Sequence, residues 1–223
     1  LTVPESYNGL DFGFVGLGQI IEETGKNLSK SPLISSILLG ASALRLSDNE
    51  ALKTKLFPGV MEGTTQLAFA IQEGKHHQTR SFNTQATLEG ENYIINGSKT
   101  IVIDGTTANQ LVVVSQVEGN LNLFIVDANS KGITISKTIL MDAGTYADIT
   151  FENVKVPAEN KLNIKLEGRL LLDQLMTIAY VGISAELLGI CKQAFDDTIQ
   201  YLKERQQFGV IIGTYQALQH RAA

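Results

Sequence analysis

The chain has 223 residues, 43% of them hydrophobic and 18% charged, which is enough to bury a sizeable core and too apolar for a disordered polypeptide. Its formal net charge of -5 argues against a general nucleic-acid binder, because such a protein needs a basic surface to neutralise phosphates. Cys191 is the single cysteine, which excludes an intrachain disulfide and a multi-cysteine metal site and fits a reducing compartment, so a cytoplasmic location is expected. No signal-peptide pattern is visible, and the opening at Leu1 instead of an initiator Met gives the expectation of a fragment.

From Phe14 to Gly63 the apolar spacing is helical, interrupted by Gly16, Gly18, Gly25 and Gly40. Val15 to Glu23 ends in a paired acid. Ser31-Pro32 then predicts a fresh helix start, with Ser as the cap and Pro at the first helical position, and Ile34, Ile37, Leu38 and Ala41 follow at helical spacing. Leu56-Phe57-Pro58-Gly59 reads as a loop, followed by a short turn to Gly63.

Near Gln66 the period falls from about 3.6 to about 2 and β-branched residues take over. Thr84 to Leu88 and Tyr93 to Ile95 flank Glu89-Gly90-Glu91-Asn92, a hairpin turn. Leu111 to Ser115 and Leu121 to Val126 flank a second one at Val117-Glu118-Gly119-Asn120. With Ser98 to Ile103, Ile133 to Ile139 and Ala147 to Val154, the region holds about seven or eight short strands, for which a small antiparallel barrel or sandwich is the natural closure.

Pro157 ends the β pattern, and from Gly168 the helical period returns and lasts to about Gln207. The first half of this helix is apolar on nearly all sides, which predicts a place inside a bundle. The second half, Lys192 to Arg205, carries charges and is expected to be more exposed. The uncharged run Leu175 to Ala185, bounded by Asp173 and Glu186, falls short of the ~20 residues of a membrane-spanning helix, so no span is expected.

Several tempting motifs fail on their context. Gly13-Phe14-Val15-Gly16-Leu17-Gly18 lacks the spacing, the preceding strand and the parallel βαβ pattern of a dinucleotide fingerprint. His76-His77 are adjacent in a ligand-poor loop and seldom would converge on one ion, so no metal is expected. Asn27-Leu28-Ser29 and Asn96-Gly97-Ser98 match the glycosylation sequon, a pattern without meaning unless the chain is secreted. Neither a serine nucleophile elbow nor a phosphate-binding G-x-x-x-x-G-K is present.

The most informative string is Arg205-Gln206-Gln207-Phe208-Gly209, followed seven residues later by Gln216. A fixed cation beside an aromatic ring and a glycine suits an anionic ligand that carries an aromatic ring, such as FAD. The alternative is purely local: Arg complements the helix dipole, Gly supplies a left-handed cap and Phe packs on the last turn.

Four further segments occur in matching order: Val3-Pro4-Glu5-Ser6-Tyr7-Asn8-Gly9-Leu10, Gln66-Leu67-Ala68-Phe69-Ala70-Ile71-Gln72-Glu73, Tyr93-Ile94-Ile95-Asn96-Gly97-Ser98-Lys99-Thr100 and Phe151-Glu152-Asn153-Val154-Lys155-Val156-Pro157. With the Arg205 string they make the chain resemble the acyl-CoA dehydrogenase family over nearly its whole length. The resemblance implies an α+β fold, with helical regions at 1–65 and 161–223 flanking a middle antiparallel β-barrel or sandwich domain at 66–160, in a piece lacking both ends of the subunit. It also implies FAD as cofactor, an acyl-CoA substrate, electron-transfer flavoprotein as electron acceptor, and an oligomer with itself or a related chain.

Carried over residue by residue, the family's T-E-P strand against the flavin ring falls on Phe69, Ile71, Gln72, Glu73 and Gly74, where Glu is kept, Thr is Gln and Pro is Gly. The G-S-D element near the pyrophosphate and substrate is replaced by Lys75-His76-His77-Gln78-Thr79, which leaves Gln78 in the substrate-facing place. The N-G-x-K strand survives as Asn96-Gly97-Ser98-Lys99. Its continuation, which in the family offers an aromatic ring and a hydroxyl to the flavin, holds Ile101 and Ile103. R-x-x-F-G is intact at Arg205, Phe208 and Gly209, and with Gln216 it implies contact with a neighbouring subunit's FAD.

The implied reaction is α,β-dehydrogenation of an acyl-CoA thioester, in which a carboxylate takes the α-proton and hydride passes to flavin N5. Most members carry that carboxylate in the last helical region; a minority carry it on the helix before R-x-x-F-G, at a place that falls on Ala179, followed by Tyr180. No catalytic base is assigned. A non-catalytic subunit that completes a partner's FAD site is therefore the second reading.

Overall fold

Apolar side chains recurring every three to four positions fold the first third of the chain into helices. The computed structural model, which describes residues 2–77, 80–142 and 144–223, has α1 at Gly13–Lys26, a π-helical stretch at Leu33–Ala41 that runs directly into α2 at Ser42–Leu46, and α3 at Glu50–Glu62. The expected start shifts by one residue: Pro32 is itself the N-cap and not the first helical position, and Ser31, just before it, accepts the Leu33 N–H on its Oγ at 3.3 Å.

The loop expected at Leu56-Phe57-Pro58-Gly59 is instead part of α3. Pro58 removes one backbone hydrogen bond, at a cost of roughly 3 kcal/mol. Against that, Leu52, Leu56, Phe57 and Val60 all face the core, and Phe57 is fully buried with its ring 5.0 Å from that of Tyr7. Each such side chain contributes roughly 1.5–3 kcal/mol, so the buried face decides the conformation. Asn49 Oδ1 caps the first turn through the Leu52 N–H at 3.1 Å, and Gly63 closes the last in a left-handed conformation, φ 75°.

Among the described residues seven strands follow: β1 (Leu67–Ala70), β2 (Gln85–Glu89), β3 (Asn92–Ile103), β4 (Gln110–Val117), β5 (Asn120–Asp127), β6 (Ile133–Thr138) and β7 (Tyr146–Pro157). They form a single curled sheet in the order β1-β4-β2-β3-β7-β6, with β5 on the other edge of β4. Pairing is mostly antiparallel, as expected, but β1 runs parallel to β4, with Leu67 opposite Gln110, and β2 touches β4 through one parallel bridge. The β4–β5 hairpin turns at Glu118 and Gly119, φ 49° and 80°, the mirror-image turn that matches strand twist.

Tyr93 to Ile95 and Ser98 to Ile103 are one strand, β3, and not two. A bulge joins them, since the register with β7 jumps from Ile95 opposite Val154 to Gly97 opposite Phe151. Gly97 is needed there: a Cβ on it would sit 2.7 Å from Thr84 Cα.

β4 and β5 are buried on both faces. Leu111, Val113, Phe124 and Val126 share one core with Ile149 and Phe151. Val112, Val114, Leu123 and Ile125 meet the helices at Leu44, Phe57, Leu172 and Leu175. The alternation of two apolar sets along a continuous apolar run fixes the register, because a one-residue slip would exchange the two cores.

The last helix, α4, spans Gly168–Glu204, ending slightly before the expected Gln207. It lies along α1 with the backbones nearly touching: a Cβ at Gly189 would sit 1.9 Å from the Glu22 carbonyl oxygen, and one at Gly25 would sit 2.4 Å from that of Glu186. The expectation of burial on nearly all sides fails: one face, Leu171, Leu172, Leu175 and Ala179, is buried, whereas Leu170, Tyr180 and Val181 between and beside them, and Leu187, Leu188 and Phe195 beyond, are exposed. By length and composition alone α4 also qualifies as a membrane span, which the shorter run Leu175 to Ala185 did not suggest. Its glycine seam against α1 is the contact of one bundle helix with another. A short hairpin, β8 (Gln206–Gln207) with β9 (Val210–Ile211), and α5 (Gln216–Ala222) complete the chain.

Candidate functional site

Where the π-helical stretch crosses the ends of β1, β3 and β7, a cleft of about 350 Å³ opens, lined by Ser35, Leu39, Phe69, Ile71, Gln72, Gly74, Lys75, His77, Thr100, Ile101, Ile103 and Tyr146. Five of the expected cofactor-binding residues converge here, Phe69, Ile71, Gln72, Ile101 and Ile103, with Gly74, Lys75 and His77 of the two altered motif segments beside them. Phe69 is largely buried in the core, whereas Ile101 and Ile103 stand 44% and 38% exposed. Gln78 lies outside the described residues.

The cleft walls are apolar and the polar groups sit at its edges, the composition of a small-molecule site. Each hydroxyl at the edge is tied to an acceptor of this chain. Ser35 donates to Asp104 Oδ2 at 2.5 Å, Thr100 to the Gly74 carbonyl at 2.9 Å, and Tyr146 to Asp142 Oδ2 at 2.5 Å. The hydrogen bond to the Asp142 carboxylate pushes the Tyr146 hydroxyl up to about 12, so it stays protonated at neutral pH. No Asp or Glu lines the cleft among the described residues, and Asp104 reaches it only through Ser35.

Ile101 is strained. A β-branched residue at φ 52° is a rare conformer, and the Asp148 carboxylate holds it by accepting the Ile101 N–H at 2.9 Å. This twist coincides with a register break between Lys99 and Val102, which turns the end of β3 toward the cleft.

Behind the wall is a buried ion pair that the sequence signalled only as two motif letters. Lys99 is fully buried, its Nζ 2.7 Å from Glu73 Oε1 and 3.3 Å from the Ile71 carbonyl, with the Phe82 ring 5.0 Å away. Glu73 also accepts from Thr84 Oγ1 at 2.6 Å and from the Thr84 and Asn83 amides at 3.1 and 2.5 Å. Burial pushes Lys99 down to about 8 despite Glu73. Burial works against the Glu73 carboxylate, but its donors outweigh it and hold the group below the usual range.

The remaining expected residues are elsewhere. Arg205 ends α4, Phe208 and Gly209 form the β8–β9 turn, and Gln216 starts α5. The reading of Gly209 as a helix cap is corrected: α4 already ends at Glu204, and Phe208 and Gly209, φ 53° and 81°, make a two-residue hairpin turn. Phe208 is 90% exposed, so it does not pack on the last turn either. Ala179 is buried in the helical core and Tyr180 is exposed. Ser35, Leu39, Thr100 and Tyr146 were missed; only Thr100, beside the N-G-x-K strand, carried a sequence signal.

Residues 68–154 fit the model of the acyl-CoA dehydrogenase middle domain and residues 168–223 that of the acyl-CoA dehydrogenase C-terminal domain. The chain belongs to the acyl-CoA dehydrogenase family. It is 28% identical, over its full length, to 54% of the short/branched chain specific acyl-CoA dehydrogenase of Bos taurus mitochondria. Over 98% of its length it is 28% identical to 60% of the caffeyl-CoA reductase-Etf complex subunit CarC of Acetobacterium woodii. The acyl-CoA dehydrogenase of Geobacillus kaustophilus superposes with a TM-score of 0.88 at 25% identity, covering 99% of this chain and 61% of that one. The chain thus spans little more than half the length of these relatives.

Proposed function

We propose that this chain forms the flavin-ring cleft of an FAD-dependent acyl-CoA dehydrogenase, which oxidises an acyl-CoA thioester between its α and β carbons. The observation that carries the reading is the convergence of Phe69, Ile71, Gln72, Ile101 and Ile103, brought from two separate segments, on one largely apolar cleft. Such a cleft suits a flat aromatic ring system with heteroatoms at its rim. FAD would supply the hydride acceptor. The chain's own part is to hold the ring between Phe69 and the two isoleucines, to exclude water with those side chains, and to meet the rim with Gln72, Thr100 and Tyr146. Lys75 and His77 at the mouth suit an anionic extension of the same ligand.

Arg205, Phe208 and Gln216 serve a neighbouring subunit's FAD in this reading, in a homo- or hetero-oligomer. Their exposure supports it, as does the uncovered apolar surface of α4. Electron-transfer flavoprotein is the proposed electron acceptor, in line with the Etf complex named for CarC. A free, exposed Cys191 accords with a cytoplasmic location.

A second reading is a non-catalytic subunit that completes the FAD site of a catalytic partner. It draws on the lack of a carboxylate among the described residues of the cleft lining and at Ala179. Titrating FAD into the purified protein and following the flavin absorbance separates the two. Saturable binding at one FAD per chain, lost on filling the cleft with Ile103→Trp, supports the first; binding that needs a related partner chain and survives Ile103→Trp supports the second.

A further inference from the structure

We infer that Lys99 is a positioning residue, which sets the cleft wall formed by Ile71, Gln72 and Gly74 through its buried pair with Glu73; the inference rests on the cleft being the ligand site. The wall segment follows β1 and is not itself a strand. What fixes it is a set of bonds to β3 and to the start of β2. Thr100 N–H donates to the Gln72 carbonyl at 2.9 Å, Thr100 Oγ1 to the Gly74 carbonyl at 2.9 Å, and Lys99 Nζ to the Ile71 carbonyl at 3.3 Å.

Glu73 alternates with its neighbours. Gln72 and Gly74 line the cleft, whereas the Glu73 side chain runs the opposite way, into the sheet, where it meets Lys99, Asn83 and Thr84. One carboxylate therefore joins the wall to two strand segments at once. Lys99 adds the wall's own backbone by reaching the Ile71 carbonyl, and with no exposed surface it has no alternative partner in water. A buried ion pair is a weak source of net stability, because desolvation offsets its attraction. Its directional bonds nonetheless leave the segment one position, and a bound ring tolerates little displacement of its wall.

The test uses the double variant Glu73→Gln/Lys99→Met, which leaves no unpaired buried charge and so keeps the fold, with Thr100→Val as a second variant that loosens only the Gly74 carbonyl. Hydrogen exchange is read on residues 71–77 and on β4–β5, and FAD affinity by titration. The expected result is at least a tenfold faster exchange across 71–77 in the double variant, unchanged exchange in β4–β5, and an FAD Kd raised tenfold or more, with a smaller shift of the same kind in Thr100→Val. Exchange that rises uniformly over the sheet, or a wall that stays protected with unchanged affinity, overturns the inference. If the unsubstituted protein binds no FAD yet the exchange change is confined to 71–77, the positioning role stands and the flavin assignment of the cleft falls.

Discussion

The cleft and the Arg205 hairpin are both regions where expected ligand-binding residues gather, but they are built in opposite ways. In the cleft, residues from four elements turn toward each other, and every hydroxyl at its edge is held by another group of the same chain. In the hairpin, residues adjacent in sequence turn outward, Phe208 almost wholly exposed, at the end of a helix whose far half is covered on one side only. The cleft is a surface finished within one chain, whereas the hairpin, in the proposed reading, is half of a contact. The glycine seam between α1 and α4 sets where that half is carried.

The largest effect should come from breaking the pair behind the cleft. Lys99→Met alone strands a buried carboxylate and Glu73→Gln alone strands a buried ammonium, so each should lower unfolding stability by about 3–5 kcal/mol in a denaturant titration. Their combination should recover most of that loss. If the double variant is as unstable as the singles together, the pair is not one unit and the cleft is less self-sufficient than the comparison requires.

Next comes the seam. Gly189→Ala gains about 1 kcal/mol of helix propensity but puts a methyl group against the Glu22 carbonyl, where no rotamer change relieves it. A net loss of about 1–3 kcal/mol is expected, and the oligomer should weaken with it because the hairpin shifts. Unchanged stability and size by light scattering would show that the helices slide freely and that α4 does not fix the hairpin's position.

Acid should act on two carboxylates before the hairpin, Glu73 behind the cleft and Asp48 at the segment that leads into α4. Glu73 and Asp48 are both held below their ordinary values of 4.5 and 3.8 once their donors outweigh burial, Asp48 accepting the amides of Ile164, Lys165 and Leu166. The folded state then binds fewer protons than the unfolded one, so their stabilisation is present above the ordinary values and is lost as pH falls through the lower folded ones. Thermal melts from pH 6 down to 2 should show a falling melting temperature that Asp48→Asn makes shallower; an unchanged slope contradicts this.

How much of this was legible from the chain follows the same division. The hairpin at Glu118-Gly119 and the period change near Gln66 are local signals, and they survive in the structure because turn chemistry and strand alternation act over a few residues. Pro58 misled because the burial of Phe57, a tertiary effect, outweighs a local one. Ser98 to Ile103 looked separate because Asn96-Gly97 interrupts the apolar run, but the extra residue of the bulge lies on β7 and β3 continues through it. Ser35 and Tyr146 reach the cleft from elements more than a hundred residues apart in sequence, and no spacing rule connects them. The family motifs located the isoleucines and Gln72 but said nothing of what Lys99 holds.

The smallest effect on stability should come from the hairpin itself: Arg205→Ala and Phe208→Ala remove exposed side chains and should change unfolding stability by no more than about 0.5 kcal/mol. They also permit the most direct test of the central claim that this exposed hairpin completes a flavin site on a neighbour. FAD is titrated into the apo assembly carrying Arg205→Lys or Arg205→Ala, with circular dichroism as the folding control. Loss of the bidentate fork predicts weaker FAD binding in Arg205→Lys and still weaker binding in Arg205→Ala, by roughly 2 kcal/mol or more, with folding unchanged. The same affinity in both variants as in the unsubstituted assembly would contradict the account and leave Arg205 a surface residue at the end of a helix.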